Sequence, residues 1–304
     1  MMKAINLYGL TLPEINAGDD LSELIVEAAK RSGIDLENGD VVVIASKVVS
    51  KALGLVREVD GVKPGKRAVK IAKKAGVDAR IVQLILEESD KLLFAIPVKK
   101  LVEKGVLDIS KMSRDVERGY SALNLYPTVL IVERDKQLWS EAGIDQSNHP
   151  MGCCSIPPRS LDVVAKQLAE KIAEKTGKKV AVVVSDTELM PFGSLDFARG
   201  SYGILPISRK FGESDAYGKP KFGGLDHVAH EVCCAAALLM GQCAEGIPVV
   251  IIRGLKYEWF EGGLSDYTLA SLDKMGDAIA EVFKATAKVF GLKHLLKLLL
   301  SIIS

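Results

Sequence analysis

The chain has 304 residues, enough to bury a sizeable core in one large domain or two smaller ones. Lys and Arg number 40 against 39 Asp and Glu, a net charge of +1 that argues against the electrostatic footprint of a nucleic-acid binder. No apolar run reaches the roughly 18–20 residues needed to span a bilayer, and the opening MMKAINLYGLTLPEI lacks an apolar core followed by a small-residue cleavage site. The expectation is a soluble, cytoplasmic protein.

The five cysteines, Cys153, Cys154, Cys233, Cys234 and Cys243, show no zinc-type C-x2-C spacing and read as reduced thiols. Cys233 and Cys234 sit in an alanine-rich helical stretch as small core residues.

In chain order, Asp20 followed three residues later by Glu23 predicts a capped helix start, with Leu21, Leu24, Ile25, Ala28 and Ala29 on one face up to Arg31. Val41 to Ile44 is a wholly apolar, branched run, the pattern of a strand buried on both faces. It is followed by Ala45-Ser46-Lys47-Val48-Val49-Ser50-Lys51. If this forms a helical turn, Lys47 and Lys51 project from one face. There they suit phosphate oxygens, although a solvated lysine face, the usual place for lysine, fits the same spacing. Lys66 to Leu93 reads as helical. Pro97 to Pro127 is basic and without a clean period, as an inserted subdomain or lid would be.

Thr128 to Val132 reads as a strand, and Ala142 to Pro150 as a polar turn that is either an ordinary Asx-turn loop or a metal- or nucleotide-binding loop. Leu161 to Thr176 is a helix that delivers the chain into Val180 to Val184, a second fully apolar strand. That run is expected to end at Ser185-Asp186-Thr187. In open α/β sheets ligands sit beyond the carboxyl ends of strands, and a carboxylate beside a hydroxyl there suits a hard divalent cation. The alternative is that Asp186 merely caps the next helix or turn.

Gly193 to Gly224 reads as loop-rich. Asp226 to Met240 is helical and carries His227, His230 and Glu231, which could face a metal or simply a cleft, without the H-E-x-x-H pattern of a zinc protease. A turn, Met240 to Ile247, leads to a third apolar strand, Pro248 to Ile252. The division expected is a domain over 1–265 and a helical extension over 266–304, whose leucine-rich end, Leu292 to Ile303, is too short for a membrane span. That end packs on a partner subunit or on the body, or lies on a membrane surface. Gly61 to Lys66 is one residue short of a Walker A loop, and no G-x-G-x-x-G follows a strand. Any nucleotide is therefore held by a less common cradle.

Several of these stretches, in order, resemble the coenzyme F420-0:γ-glutamyl ligase family. They are Leu12-Pro13-Glu14-Ile15, Ala45 to Lys51, Leu84-Ile85-Leu86-Glu87-Glu88-Ser89, Ala142-Gly143-Ile144-Asp145-Gln146-Ser147-Asn148, Ser185-Asp186-Thr187, and Met240 to Ile247 with Pro248 to Leu255. The resemblance runs from about Leu10 to Gly262. It implies a mixed α/β fold in an intertwined homodimer, and a GTP-dependent amide ligase using two divalent cations, Mg²⁺ or Mn²⁺, with room for a monovalent cation. By position, Asp145 and Asp186 would hold the first cation and Thr187 and Gln242 the second. GTP would be cradled by Leu12, Pro13, Glu14, Ile15, Ser46, Lys47, Lys51, Asn148 and the turn Met240, Gly241, Gln242, Cys243, Ala244, Glu245, Gly246, Ile247. Asp145, Asp186 and Lys47 would carry the catalysis, adding L-glutamate to a carboxylate acceptor such as coenzyme F420-0 through an acyl phosphate.

Besides the Pro97 to Pro127 insertion and the C-terminal tail, three places depart from the family pattern. A Gly-Arg-Pro-aromatic-Arg run is expected after Thr187, where Glu188-Leu189-Met190-Pro191-Phe192-Gly193 stands instead, without either arginine. A His-Gly pair is expected before Ala142, where Asp135 to Glu141 stands. The leucine-proline-acidic run expected after the Asp145 loop is Ile156-Pro157-Pro158-Arg159. These departures fit an altered acceptor, a weakened enzyme, or a relative that binds or hydrolyses a nucleotide without ligating.

Overall fold

A computed structural model describes residues 4–190, 193–267 and 274–303. Strand β1 (Asn6–Leu10) leads to helix α1 (Leu21–Arg31), strand β2 (Val41–Ala45), helix α2 (Ser46–Ala52) and strand β3 (Val56–Glu58). Helices α3 (Lys66–Ala75) and α4 (Ala79–Glu88) precede strand β4 (Lys91–Ile96). Three short helices follow, α5 (Val98–Glu103), α6 (Ile109–Met112) and α7 (Val116–Leu125), and then strands β5 (Val129–Arg134), β6 (Gln137–Ser140) and β7 (Cys153–Ser155). Helix α8 (Leu161–Thr176), strands β8 (Ala181–Met190) and β9 (Gly193–Tyr202), helix α9 (Val228–Met240) and strand β10 (Val249–Arg253) complete the first compact unit, Met1–Tyr267.

The branched apolar runs behave as the sequence predicts. Among the described residues they form a five-stranded sheet in the order β1-β10-β2-β8-β9, with β2 and β8 parallel and the other neighbours antiparallel. Strand residues alternate between two cores, because successive side chains point to opposite faces. Val42, Ile44, Val182 and Val184 pack with Ile25 of α1 and Leu168 and Ile172 of α8 on one face. Val41, Val43, Ala181 and Val183 pack with Ala229, Val232 and Ala236 of α9 on the other. The result is a helix–sheet–helix sandwich in which Val41 to Ile44 of β2 and Ala181 to Ser185 of β8 are buried. Asp20 caps α1 by accepting from the backbone N–H groups of Ser22 and Glu23 (3.0 and 3.4 Å).

Three expectations about extent are corrected. The β8 run does not stop at Ser185. Its parallel pairing with β2 ends at Ala45↔Ser185, but antiparallel pairing with β9 carries the strand on through Asp186 and Thr187. Asp186 is therefore a strand residue and not a cap. For the same reason Gly193 to Tyr202, read as loop, is a strand, and only the remainder of that stretch is irregular. Its glycine is positional: a Cβ on Gly200 would lie 2.4 Å from the carbonyl carbon of Leu161, so only glycine lets β9 approach the start of α8. The helical reading of Lys66 to Leu93 likewise overshoots. Gly76, at φ +74°, ends α3, and Lys91 already belongs to β4.

Residues 97–127 hold α5 to α7 between β4 and β5, around a small core of Val98, Val102 and Leu123. A second compact unit, Thr268–Ser304, consists of helix α10 (Met275–Phe290) and helix α11 (Leu292–Ile303), joined at Gly291 with φ +87°. Among the described residues no helix is long and apolar enough to cross a membrane.

Candidate active site

The carboxyl ends of β2 and β8 open into a cavity of about 690 Å³. The loop after β1, the first turn of α2, the loop after β6 and the turn after α9 form its walls. Each residue to which the family resemblance gives a metal or nucleotide role borders this one cavity. That holds for Leu12 to Ile15, Ser46, Lys47, Lys51, Asp145, Asn148, Asp186, Thr187 and Met240 to Ile247, which come from five separate parts of the chain.

The two lysines project along one face of α2, as their four-residue spacing requires. Lys47 lies 2.8 Å from the Asp145 carboxylate, and its Nζ also donates to Ser147 Oγ (2.6 Å). Lys51 Nζ donates to Glu14 Oε1 (2.6 Å), tying α2 to the Leu12–Ile15 segment. The Asp145 loop is indeed an Asx turn, since Ser147 N donates to Asp145 Oδ1 (2.7 Å). It is also a cavity wall, so the two readings of that stretch coexist. Asn148, left-handed at φ +55°, donates from Nδ2 to Cys243 O (2.9 Å) and thereby joins this loop to the turn after α9. Within that turn Cys243 N donates to Glu245 Oε2 (2.9 Å), which holds the backbone curled around the cavity mouth.

Ser46 begins α2 and donates from Oγ to Asp186 Oδ1 (3.1 Å). Asp145 and Asp186 thus meet consecutive residues, Lys47 and Ser46, at the start of one helix. Burial pushes the Asp186 carboxyl up to about 7, helped by the charges of Glu188 and Asp145 and opposed by Arg199 and the Ser46 hydroxyl. A carboxyl raised chiefly by burial can exchange its proton for a cation. Among the residues lining the cavity are carboxylates, hydroxyls and side-chain amides, whose hard oxygens are the donors preferred by Mg²⁺ and Mn²⁺.

Thr187 faces away from Asp186, as alternation along β8 demands. Its Oγ1 donates to Asp196 Oδ1 (2.7 Å), and Gln242 Nε2 donates to the same oxygen (3.1 Å). Asp196 borders the cavity and was not found from the sequence. The signal that could have revealed it is the β8–β9 register, which sets Asp196 directly opposite Thr187. Glu141, also missed, lines the cavity beside the Asp145 loop, and burial alone raises its carboxyl to about 7.

The arginines absent after Thr187 have no substitute on the cavity surface, where the cationic side chains among the described residues are Lys47 and Lys51. Arg199 of β9 is instead buried. It pairs with Glu188, donates from Nη1 to Leu138 O (2.7 Å) and stacks 4.0 Å from the Trp139 ring centroid. This cluster fastens β6 to the β8–β9 pair behind the cavity.

The histidines at the start of α9, His227 just before it and His230 in its first turn, do not form a metal centre. His227 and His230 stack at 3.6 Å, and His230 Nδ1 accepts from Ala198 N (3.1 Å). Burial holds both imidazoles below their usual range. Among the described residues no group of three or more His, Cys, Asp or Glu side chains is arranged to hold a metal by itself.

The sequence model for F420-0:Gamma-glutamyl ligase matches residues 9–254. The coenzyme F420:L-glutamate ligase of Methanothermobacter thermautotrophicus is 34% identical over 258 residues, covering 84% of this chain and 90% of that protein. That of Archaeoglobus fulgidus is 35% identical over 246 residues (80% and 85%), and that of Methanocaldococcus jannaschii 32% over 264 residues (86% and 92%).

Proposed function

The chain belongs to the F420-0:gamma-glutamyl ligase family, whose chemistry makes a carbon–nitrogen bond, and from that premise we propose that it is a GTP- and divalent-metal-dependent ligase. It joins L-glutamate to the carboxylate of coenzyme F420-0 or a related small acceptor. The supporting observation is the convergence of Asp145, Asp186, Lys47 and Lys51 on one cavity of about 690 Å³.

In this reading Asp145 and Asp186 would hold the first cation, and Thr187 and Gln242 the second. Bound cations supply charge neutralisation for the phosphoryl oxygens. Lys47 and Lys51 exchange their present carboxylate partners for triphosphate oxygens, acting as point charges. The Leu12–Ile15 segment, Ser46, Asn148 and the Met240–Ile247 turn hold the rest of the nucleotide. The acceptor carboxylate attacks the γ-phosphorus, the bond to the β-phosphate oxygen breaks, and GDP leaves. The glutamate ammonium gives one proton to water and its amine attacks the acyl phosphate; the C–N bond forms, the C–O bond to phosphate breaks, and the second amine proton leaves with the phosphate. Positioning and electrostatics carry the rate, and no side chain becomes covalently modified.

The protein works in the cytoplasm as an intertwined homodimer, and a monovalent cation would accompany the two divalent ones. Incubation with Mn²⁺, GTP, L-glutamate and coenzyme F420-0 should release GDP and phosphate only when both glutamate and acceptor are present. Phosphate release indifferent to both would leave a nucleotide hydrolase, and no nucleotide binding at all would end the proposal. Sedimentation at twice the monomer mass checks the dimer.

A further inference from the structure

We infer that Asp196 is the carboxylate of the second cation site, giving that ion its negative charge and setting Thr187 and Gln242 to receive it. This rests on the placement of the second cation at Thr187 and Gln242, neither of which carries charge.

Asp196 is 6% exposed. A carboxylate withdrawn this far from water needs a positive partner or a metal, because hydrogen bonds from neutral donors only partly replace its hydration. Among the described residues no Lys, Arg or His pairs with it. Its contacts are neutral: Oδ1 accepts from Thr187 Oγ1 and Gln242 Nε2, and Oδ2 accepts from Ser185 Oγ at 3.3 Å. The buried arginine nearest in sequence, Arg199, is committed to Glu188. Asp196 therefore remains an acid without a cation, at the rim of a cavity otherwise suited to cations.

The hydrogen-bond directions strengthen the assignment. Thr187 gives its hydroxyl proton to Asp196, which leaves oxygen lone pairs for a metal. Gln242 gives an amide N–H to Asp196, which leaves its carbonyl oxygen as the free, hard donor. An acidic group that fixes two ligands in this way is the usual companion of a metal site. The three residues come from β9, β8 and the turn after α9, so the arrangement is a product of the tertiary fold and not of local turn chemistry.

Mn²⁺ binding followed by electron paramagnetic resonance and calorimetry tests the inference without reference to turnover. Wild-type protein should hold two Mn²⁺ per chain. Asp196→Asn should weaken one of them by roughly 10–100-fold and leave the other unchanged. Gln242→Leu, at an exposed position where misfolding is not expected, should weaken the same ion. Asp186→Asn should remove the other one. Two ions retained at full affinity in both Asp196→Asn and Gln242→Leu would overturn this inference while leaving the Asp145–Asp186 site intact. Loss of one ion in Asp196→Asn with no effect of Asp186→Asn would uphold it and sink the first-cation assignment. Failure of the wild-type protein to bind Mn²⁺ would overturn both.

Discussion

Lys47 and Asp145, 98 positions apart in the chain, form an ion pair at 2.8 Å on the wall of the cavity. In the absence of ligands the two charges satisfy each other. Nucleotide and metal binding would separate them, giving the lysine to phosphate and the carboxylate to the cation. Because both side chains keep access to water, the pair contributes little to stability. Lys47→Met is expected to weaken GTP binding in calorimetry at least tenfold, about 1.4 kcal/mol. The thermal midpoint should move by no more than about 2 °C. A large loss of stability with unchanged affinity would show the pair to be a structural strut.

The buried cluster behind the cavity should respond in the opposite way. Removing Arg199 leaves Glu188 buried without its partner, so Arg199→Met is expected to cost about 3 kcal/mol or more in denaturant unfolding. The double variant Glu188→Gln with Arg199→Met should recover part of that loss, since no lone charge remains. Equal destabilisation by single and double variants would show that the Trp139 stack, and not the charge pair, holds β6 to the β8–β9 strands.

Much of this arrangement was legible in the sequence. The branched runs at Val41 and Val180 are buried on both faces because a central strand has no solvent side, and that leaves an unmistakable apolar block. The cavity residues follow from motif order. What stayed hidden depends on pairing between distant or weakly patterned segments. β9 contains Gly193, Ser194, Gly200 and Ser201, residues that favour turns locally, and it is a strand only because β8 pairs with it. Asp196, Arg199 and the extension of β8 through Asp186 were lost with it. The Glu188–Arg199 pair could not be read either, because sequence shows which arginines are absent from a motif and not which ones fold back from the next strand.

Glu141 gives the pH dependence a definite sign. Its carboxyl sits at about 7 in the folded protein against an ordinary 4.5, so between these values the folded chain holds a proton that the unfolded chain has released. Folding stability therefore falls as pH rises through that window. Metal-free Glu141→Gln should be more stable than wild type at pH 8, on the order of 2–3 kcal/mol. The difference should vanish near pH 4. Urea titrations at the two pH values make the comparison, and a difference that persists unchanged at pH 4 would mean that the gain comes from packing.

Gly200 offers a test of the layer that carries Asp196. Alanine there would meet the Leu161 backbone, so Gly200→Ala is expected to cost about 1–3 kcal/mol. It should also weaken Mn²⁺ binding by displacing β9. A variant as stable as wild type would show that β9 can move away from α8 without loss.

The central claim is that Asp145 and Asp186 share a cation that grips a triphosphate. Crystals grown with Mn²⁺ and a non-hydrolysable GTP analogue, measured at a wavelength where manganese scatters anomalously, read this directly. The account predicts an anomalous peak within roughly 2.0–2.3 Å of an oxygen from each carboxylate, with the triphosphate lying against Lys47 and Lys51. A manganese peak that touches neither aspartate, or a nucleotide bound away from those lysines, would contradict it.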